Sequence, residues 1–320
     1  EADKILFIPD ALIYMLTGEA VCEQTVASTS QMLNAATGDI DETLLATLGL
    51  QRSQLGRMVR PGETVGTLTR QVQDQTGIGA VPIVAVGSHD TASAVAAVPA
   101  QDANFAYLSC GTWSLLGIES PKPIITKESY RENFTNEGGL DGTVRFLKNI
   151  CGLWLYEQCR REWTDVPKDV NELNALCLKS SCQSLLNPDD PRLAHPVSMT
   201  AAIREVLAET SQPLPETPAD YVRVIFRSLA ARYREVVEIL RRLTAVDIRR
   251  LHVIGGGSRN EYLMQFTAEA LQLPVIAGPQ EGTALGNALV QVRAAGLVHS
   301  LAEMRAIIRN SIDLKEYLPQ

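Results

Sequence analysis

A six-residue apolar run, Val81-Pro82-Ile83-Val84-Ala85-Val86, leads straight into a polar loop, Gly87-Ser88-His89-Asp90. A segment of mostly small residues follows, Thr91–Val98, and Pro99 stops it. An uninterrupted apolar run of this length reads as a strand buried on both faces, and the segment after the loop reads as a helix. Strand, polar loop and helix together predict an α/β fold, with the loop at the C-terminal edge of a sheet where such folds hold ligands. The pattern returns later. Arg249–Ile254 reads as a strand, Gly255-Gly256-Gly257-Ser258 as a loop and Asn260–Leu271 as a helix. Val275-Ile276-Ala277 is another strand, and Ala284–Ala295 another helix closed by Gly296.

Between the two patterns lie a hairpin and a long helix. Phe105–Ser109 and Trp113–Ile118 flank Cys110-Gly111-Thr112, which reads as a turn with glycine at its tip. Thr217 is placed as an N-cap, with Pro218 the first helical residue and Asp220 in the first turn. Val222, Ile225, Leu229, Tyr233, Val236, Leu240 and Leu243 then recur at three- and four-residue steps. Ahead of residue 81, residues 5–16 carry a helical apolar stripe closed by Gly18. Leu44–Leu48 reads as a short helix, and residues 59–67 as a turn beside a strand. A chain of 320 residues suits two domains. We expect the boundary near Pro99–Ala103, giving residues 1–99 and 100–320.

Composition narrows the partners. A formal net charge of −8 argues against nucleic acid, whose binding draws on Lys and Arg contacts to phosphate. It leaves a nucleotide open, because backbone N–H groups cradle phosphate without net positive charge. No run approaches the ~18 apolar residues of a membrane span, and Glu1-Ala2-Asp3-Lys4 does not open a signal peptide. Six scattered cysteines form no C-x-x-C pair and no zinc-finger spacing. They read as reduced thiols of a cytoplasmic protein, with Cys177 and Cys182 close enough in sequence to pair under oxidation.

Three loops can carry chemistry. In Gly87-Ser88-His89-Asp90-Thr91, Asp90 at a strand end suits a base that takes a proton from an alcohol; equally, it suits the cap of the helix that follows. A His-Asp metal site needs more ligands than His195, His252 and His299, far apart in sequence, supply; no metal ligand is named. In Ser109-Cys110-Gly111-Thr112-Trp113-Ser114, consecutive backbone N–H groups form either an anion nest, aided by the hydroxyls of Thr112 and Ser114, or a plain β-turn. Gly255-Gly256-Gly257-Ser258-Arg259-Asn260 follows a strand and opens a helix, which lets a ligand approach backbone closely. It is no dinucleotide fingerprint, since Asn260 stands where a glycine is needed, and no glycine of the chain precedes a lysine as in a P-loop.

Taken in order, these loops resemble the motifs of the FGGY family of carbohydrate kinases. Val86–Val95 is similar to the family's catalytic loop, Tyr107–Ser114 to its second phosphate motif and Gly255–Asn260 to its adenosine motif. Asn133–Gly139 and Leu147–Trp154 resemble the branch that acts on L-rhamnulose rather than those for glycerol or xylulose, and Ile276–Pro279 with Ala284–Asn287 fits as well. The resemblance implies two actin-like (ribonuclease-H-like) ATPase domains and phosphorylation of a ketose by ATP with Mg²⁺. It implies Asp90 as general base, with His89, Thr91 and Asn149 also touching the sugar. It puts Gly111, Thr112, Gly256, Gly257 and Asn260 at the nucleotide, with Glu157 where the family has a glutamine and Gln158 one place on. The family's opening strand and Asp-x-Gly phosphate loop have no counterpart from Glu1 onward, so the first domain is expected to be incomplete. Another ketose kinase of the family, for fuculose or the autoinducer-2 sugar, and a binding remnant without turnover are the rival readings.

Overall fold

The computed structural model describes residues 3–320; Glu1 and Ala2, the first residues of the expected first domain, lie outside them. Helix α1 (Ile8–Thr17) ends at Gly18, whose left-handed backbone (φ 79°) lets its N–H reach Tyr14 O. The short elements β1 (Val21–Glu23), α2 (Gln24–Ala27), α3 (Glu42–Thr47), β2 (Arg57–Val59), β3 (Thr64–Thr67), α4 (Arg70–Thr76) and β4 (Pro82–Val84) lead to α5 (Asp90–Ala96). The hairpin β5 (Phe105–Cys110) and β6 (Trp113–Ser120) follows, then α6 (Lys127–Arg131), β7 (Thr135–Gly138), β8 (Val144–Cys151), α7 (Trp154–Glu162), α8 (Val170–Ala175) and α9 (Met199–Glu209). The last third holds α10 (Pro218–Thr244), β9 (Arg250–Ile254), α11 (Glu261–Leu271), β10 (Val275–Ala277), α12 (Gly282–Ala294), α13 (Leu301–Ser311) and β11 (Lys315–Tyr317). No helix among the described residues is long and apolar enough to cross a membrane.

These elements sort into two compact units, each drawn from three stretches of chain. One unit comprises Glu1–Gln101, Glu119–Phe146 and Gly282–Ser311; the other comprises Asp102–Ile118, Leu147–Glu281 and Ile312–Gln320.

In the first unit, β1 and β2 pair in parallel and β3 and β4 pair antiparallel. The apolar run at residues 81–86 is therefore not a six-residue strand buried on both faces. Only Pro82–Val84 is strand, its one partner among the described residues is β3, and Val81 is exposed. Pro82 has no N–H to donate, which limits the run to an edge role. The stripe of α1 also turns the other way: Ile8 is 78% exposed and Leu12 and Met15 face solvent, while Asp10 is the buried residue of the helix. The centre of the unit is the pairing of α5 with α12. Thr91–Ala96 are all buried, mostly small residues that let a neighbour come close. A Cβ on Gly286 of α12 would lie 1.8 Å from Ser93 O, so only glycine fits that crossing.

The second unit is built on one sheet, in the order β11-β10-β9-β5-β6-β8. β5, β9 and β10 are parallel neighbours, and β6 and β11 are antiparallel additions. Helix α10 starts as its sequence dictates. Thr217 accepts a hydrogen bond from Asp220 N–H, Asp220 accepts one from Thr217 N–H, and Pro218 follows the cap. Of its apolar stripe, Val222, Ile225, Leu229, Tyr233, Val236 and Leu240 are fully buried and Leu243, in the last turn, is partly buried. At about 1.5–3 kcal/mol per large apolar side chain, this helix is the main anchor of the unit.

Candidate active site

The loop before α5 is held from below by groups that the sequence did not single out. Glu23 is buried, and its carboxylate accepts hydrogen bonds from Thr25 N–H (2.9 Å), Thr25 Oγ1 (2.5 Å) and Ser88 N–H (3.0 Å). Thr25 Oγ1 in turn accepts His89 N–H at 3.1 Å, and Ser93 Oγ donates to Gly87 O at 2.7 Å. Asp10, also buried, accepts Glu23 N–H at 3.2 Å. Burial raises the pKa of both carboxyls, that of Asp10 to about 7. A carboxylate that gathers N–H groups from two segments fixes their relative position. The polar stretch from Glu23 onward, which carries no apolar periodicity, is thus the floor of the loop.

On that floor Asp90 is the first residue of α5 and its side chain is 79% exposed. It is not the helix cap: the N-cap is His89, with no capping hydrogen bond from its side chain. Among the described residues the Asp90 carboxylate accepts only from its neighbour Thr91, at N–H (2.7 Å) and Oγ1 (3.3 Å). Thr91 itself is buried. His89 is partly buried, with Nδ1 3.2 Å from Arg145 Nη2 and 3.8 Å from Asp90 Oδ1. Its pKa is lowered, first by burial and then by the Arg145 charge.

In the second unit a cavity of about 610 Å³ is lined by Gly111, Thr112, Glu157, Gly256, Gly257 and Asn260, all six residues expected at the nucleotide. Two distant loops share it because they touch. A Cβ on Gly257 would lie 2.3 Å from Cys110 Sγ and 2.9 Å from Cys110 O, so the glycine loop packs directly on the hairpin strand. The start of α7 closes the third side, with Leu153 N–H donating to Gly111 O and Trp154 N–H to Thr112 O. Gly256 faces open space, and Thr112 is exposed.

Four details change the expectation. Gly111 N–H donates to Trp113 O at 2.9 Å within the turn, so it is not a free nest donor. The Ser114 hydroxyl is buried against Tyr233 Oη at 2.7 Å and does not reach the cavity. The Asn260 carboxamide oxygen caps α11 through Leu263 N–H. Glu157 pairs with Arg160 at 3.5 Å, while Gln158 lines the same wall.

Tyr156 Oη and Asn174 Oδ1 of the wall were missed; with Gln158 Nε2 they are buried without a hydrogen-bond partner among the described residues. Unpaired buried polar atoms cost about 1–3 kcal/mol each, and a ligand with complementary atoms would relieve that cost. Asn149, expected at the sugar, lies exposed on β8 in this second unit. All six cysteines are free, and five of them are buried.

Comparison with known proteins accounts for this arrangement. Residues 1–97 match the N-terminal domain model of the FGGY family of carbohydrate kinases, and residues 106–295 match its C-terminal domain model. The chain is 55% identical to a rhamnulokinase of Bacteroides thetaiotaomicron, with 100% of this chain aligned to 66% of that protein. It is 43% identical to a rhamnulokinase of Pectobacterium atrosepticum, with 100% aligned to 63%. The chain thus spans just under two thirds of the length of these relatives. Among solved structures, a ligand-bound xylulose kinase from Lactobacillus acidophilus superposes with a TM-score of 0.78 at 18% identity, over 100% of this chain and 64% of that one. Plasmodium falciparum glycerol kinase with ADP superposes with a TM-score of 0.74 at 17% identity, over 98% and 62%. These likenesses confirm the mixed α/β actin-like fold. With both domain models matched in order along its length, the chain belongs to the FGGY family of carbohydrate kinases.

Proposed function

We propose that this chain forms the greater part of an ATP-dependent kinase that converts L-rhamnulose to L-rhamnulose 1-phosphate, with Asp90 as general base. The observation that carries the nucleotide half of this reading is the single cavity lined by Gly111, Thr112, Glu157, Gly256, Gly257 and Asn260. Its unpaired Tyr156, Gln158 and Asn174 atoms fit a nucleotide rich in donors and acceptors, and Gln158 takes the contact that Glu157, paired with Arg160, leaves open. The sugar half rests on an exposed, uncapped Asp90 held by a buried floor, with His89 and Thr91 beside it and Asn149 as a further sugar contact.

In this reading Asp90 takes the proton of the primary hydroxyl. The oxygen bonds to the γ-phosphorus as the bond to ADP breaks, and ADP leaves. Positioning and charge stabilisation do most of the work. Mg²⁺ would enter with ATP; no residue of this chain is assigned to it. The choice of ketose follows the two rhamnulokinase relatives. Six free thiols and a need for ATP fit the cytoplasm. ADP release measured with L-rhamnulose, L-fuculose, D-xylulose and glycerol tests the reading. Turnover with L-rhamnulose at the highest kcat/KM supports it. Preference for another ketose reassigns the sugar, and ATP binding without turnover on any of them would leave a binding remnant.

A further inference from the structure

The His89–Arg145 contact lies outside what the catalytic loop was expected to contain. Arg145 of β8 has no exposed surface, and although its Nη1 has no hydrogen-bond partner among the described residues, its Nε and Nη2 are both engaged. Its Nε donates to Gly138 O at 2.9 Å, and its Nη2 lies 3.1 Å from Glu137 Oε2 and 3.2 Å from His89 Nδ1. The same residue therefore joins the end of β7 to the loop that carries Asp90. A guanidinium has only donors and stays protonated at any working pH. A histidine nitrogen facing it must present a lone pair.

We propose that Arg145 is a positioning residue that holds His89 as the neutral Nε2–H tautomer, so that His89 donates a hydrogen bond to the sugar and Asp90 is the base of the loop. This rests on the reading that the loop receives the ketose. With Nδ1 occupied by Arg145 and Nε2 already carrying a proton, His89 has no free lone pair with which to take one. A second proton on the ring would set an N–H against the guanidinium, cation against cation at 3.2 Å. The other charged groups around the ring are Glu137 of β7, Asp90 beside it and Glu23 beneath the loop at Ser88 N–H. Glu137, paired with Arg145, and Asp90, whose carboxylate faces solvent, both favour the protonated ring, but each acts more weakly than the guanidinium. Burial acts in the same direction as the guanidinium, and the His89 pKa is lowered. What remains is one N–H on a partly exposed ring beside the base.

The chain has four histidines, which makes the state of this one directly observable. Long-range ¹H–¹⁵N correlation on the full 320-residue chain, with His89→Gln to assign the signal, should show a neutral Nε2–H ring. That signal should stay unchanged as pH falls through the ordinary histidine value of about 6.5. An Nδ1–H ring, or titration at the ordinary value, overturns the proposal without any variant having to fold. In Arg145→Met, which keeps the bulk and removes charge and donors, the His89 pKa should rise and both tautomers should appear. Arg145→Lys should restore the low pKa but only part of the tautomer preference. In kinetics, Arg145→Met should raise the ketose KM roughly tenfold, the scale of one lost hydrogen bond, and leave the ATP KM within about twofold. An unchanged His89 signal in Arg145→Met also overturns the proposal. If instead the tautomer is as proposed but His89→Gln leaves the ketose KM unchanged, the sugar-binding reading of the loop fails rather than the role of Arg145.

Discussion

On the proposed reading Asp90 and Thr112 do different work, and substitution separates them. Asp90→Asn removes the proton acceptor and keeps the shape, so kcat should fall by at least ~10²-fold with the ATP KM little changed. Thr112 is exposed in the cavity it shares with Gly256 and Gly257, and Thr112→Ala should raise the ATP KM several-fold with a smaller effect on the ketose KM. A shift confined to the ketose KM would remove Thr112 from the nucleotide site. Gly257→Ala is a steric test. Its Cβ would lie 2.3 Å from the Sγ of buried Cys110, so the glycine loop must move off the hairpin. We expect a loss of about 1–3 kcal/mol in denaturant unfolding and weaker ATP binding, the usual cost of overpacking. Asp90, Thr112 and Gly257 were all named from motif position alone. Glu23, Arg145 and Asn174 were not, because a buried polar residue has no pattern until its partners are known.

At the scale of elements, caps, glycine stops and the buried face of the long helix α10 were legible, and the burial of shorter apolar runs was not. The capping box of α10 and the αL stop at Gly18 follow from local chemistry. The apolar run at residues 81–86 was misread because a run of that kind shows only that apolar residues are adjacent. Whether a strand is central or at an edge depends on its neighbours, and β3 alone pairs with it here. The same holds for α1, whose one buried side chain is an aspartate. That aspartate gives a pH test. Asp10 has a pKa raised to about 7 in the folded chain against the ordinary 3.8, so the folded state keeps a proton that the unfolded state releases. Its contribution favours the fold fully below about pH 4 and is lost as pH rises through 7. Melting temperature should therefore fall between pH 4 and 8 more steeply in the native chain than in Asp10→Asn, where one carboxamide oxygen still accepts Glu23 N–H. Parallel slopes would assign the titration elsewhere.

At the scale of the whole molecule, the chain leaves and re-enters each compact unit. Helices α12 and α13 follow β10 in sequence, but they pack with α5 in the first unit, while β11 returns to the second. Hydrogen exchange should report this: amides of α12 should exchange with the opening energy of α5, not with that of α11 nearer in sequence. Gly286→Val, which drives a side chain into Ser93 O, should speed exchange in both α5 and α12 and leave α10 protected. Equal loss of protection in α10 would make the chain one cooperative body. What the sequence by itself determined were local matters: which segments are helix or strand, where they stop, and which loops match the motifs of a sugar-kinase family. These depend on residues within a few positions of one another, where capping, periodicity and turn geometry act. Tertiary structure alone decided that the run at residues 81–86 and the stripe of α1 are not core, that a glycine loop and a hairpin well over a hundred residues apart line one cavity, and that Glu23 and Arg145 hold the loop before α5. Burial and hydrogen-bond pairing are properties of positions in space, and no spacing along the chain encodes them.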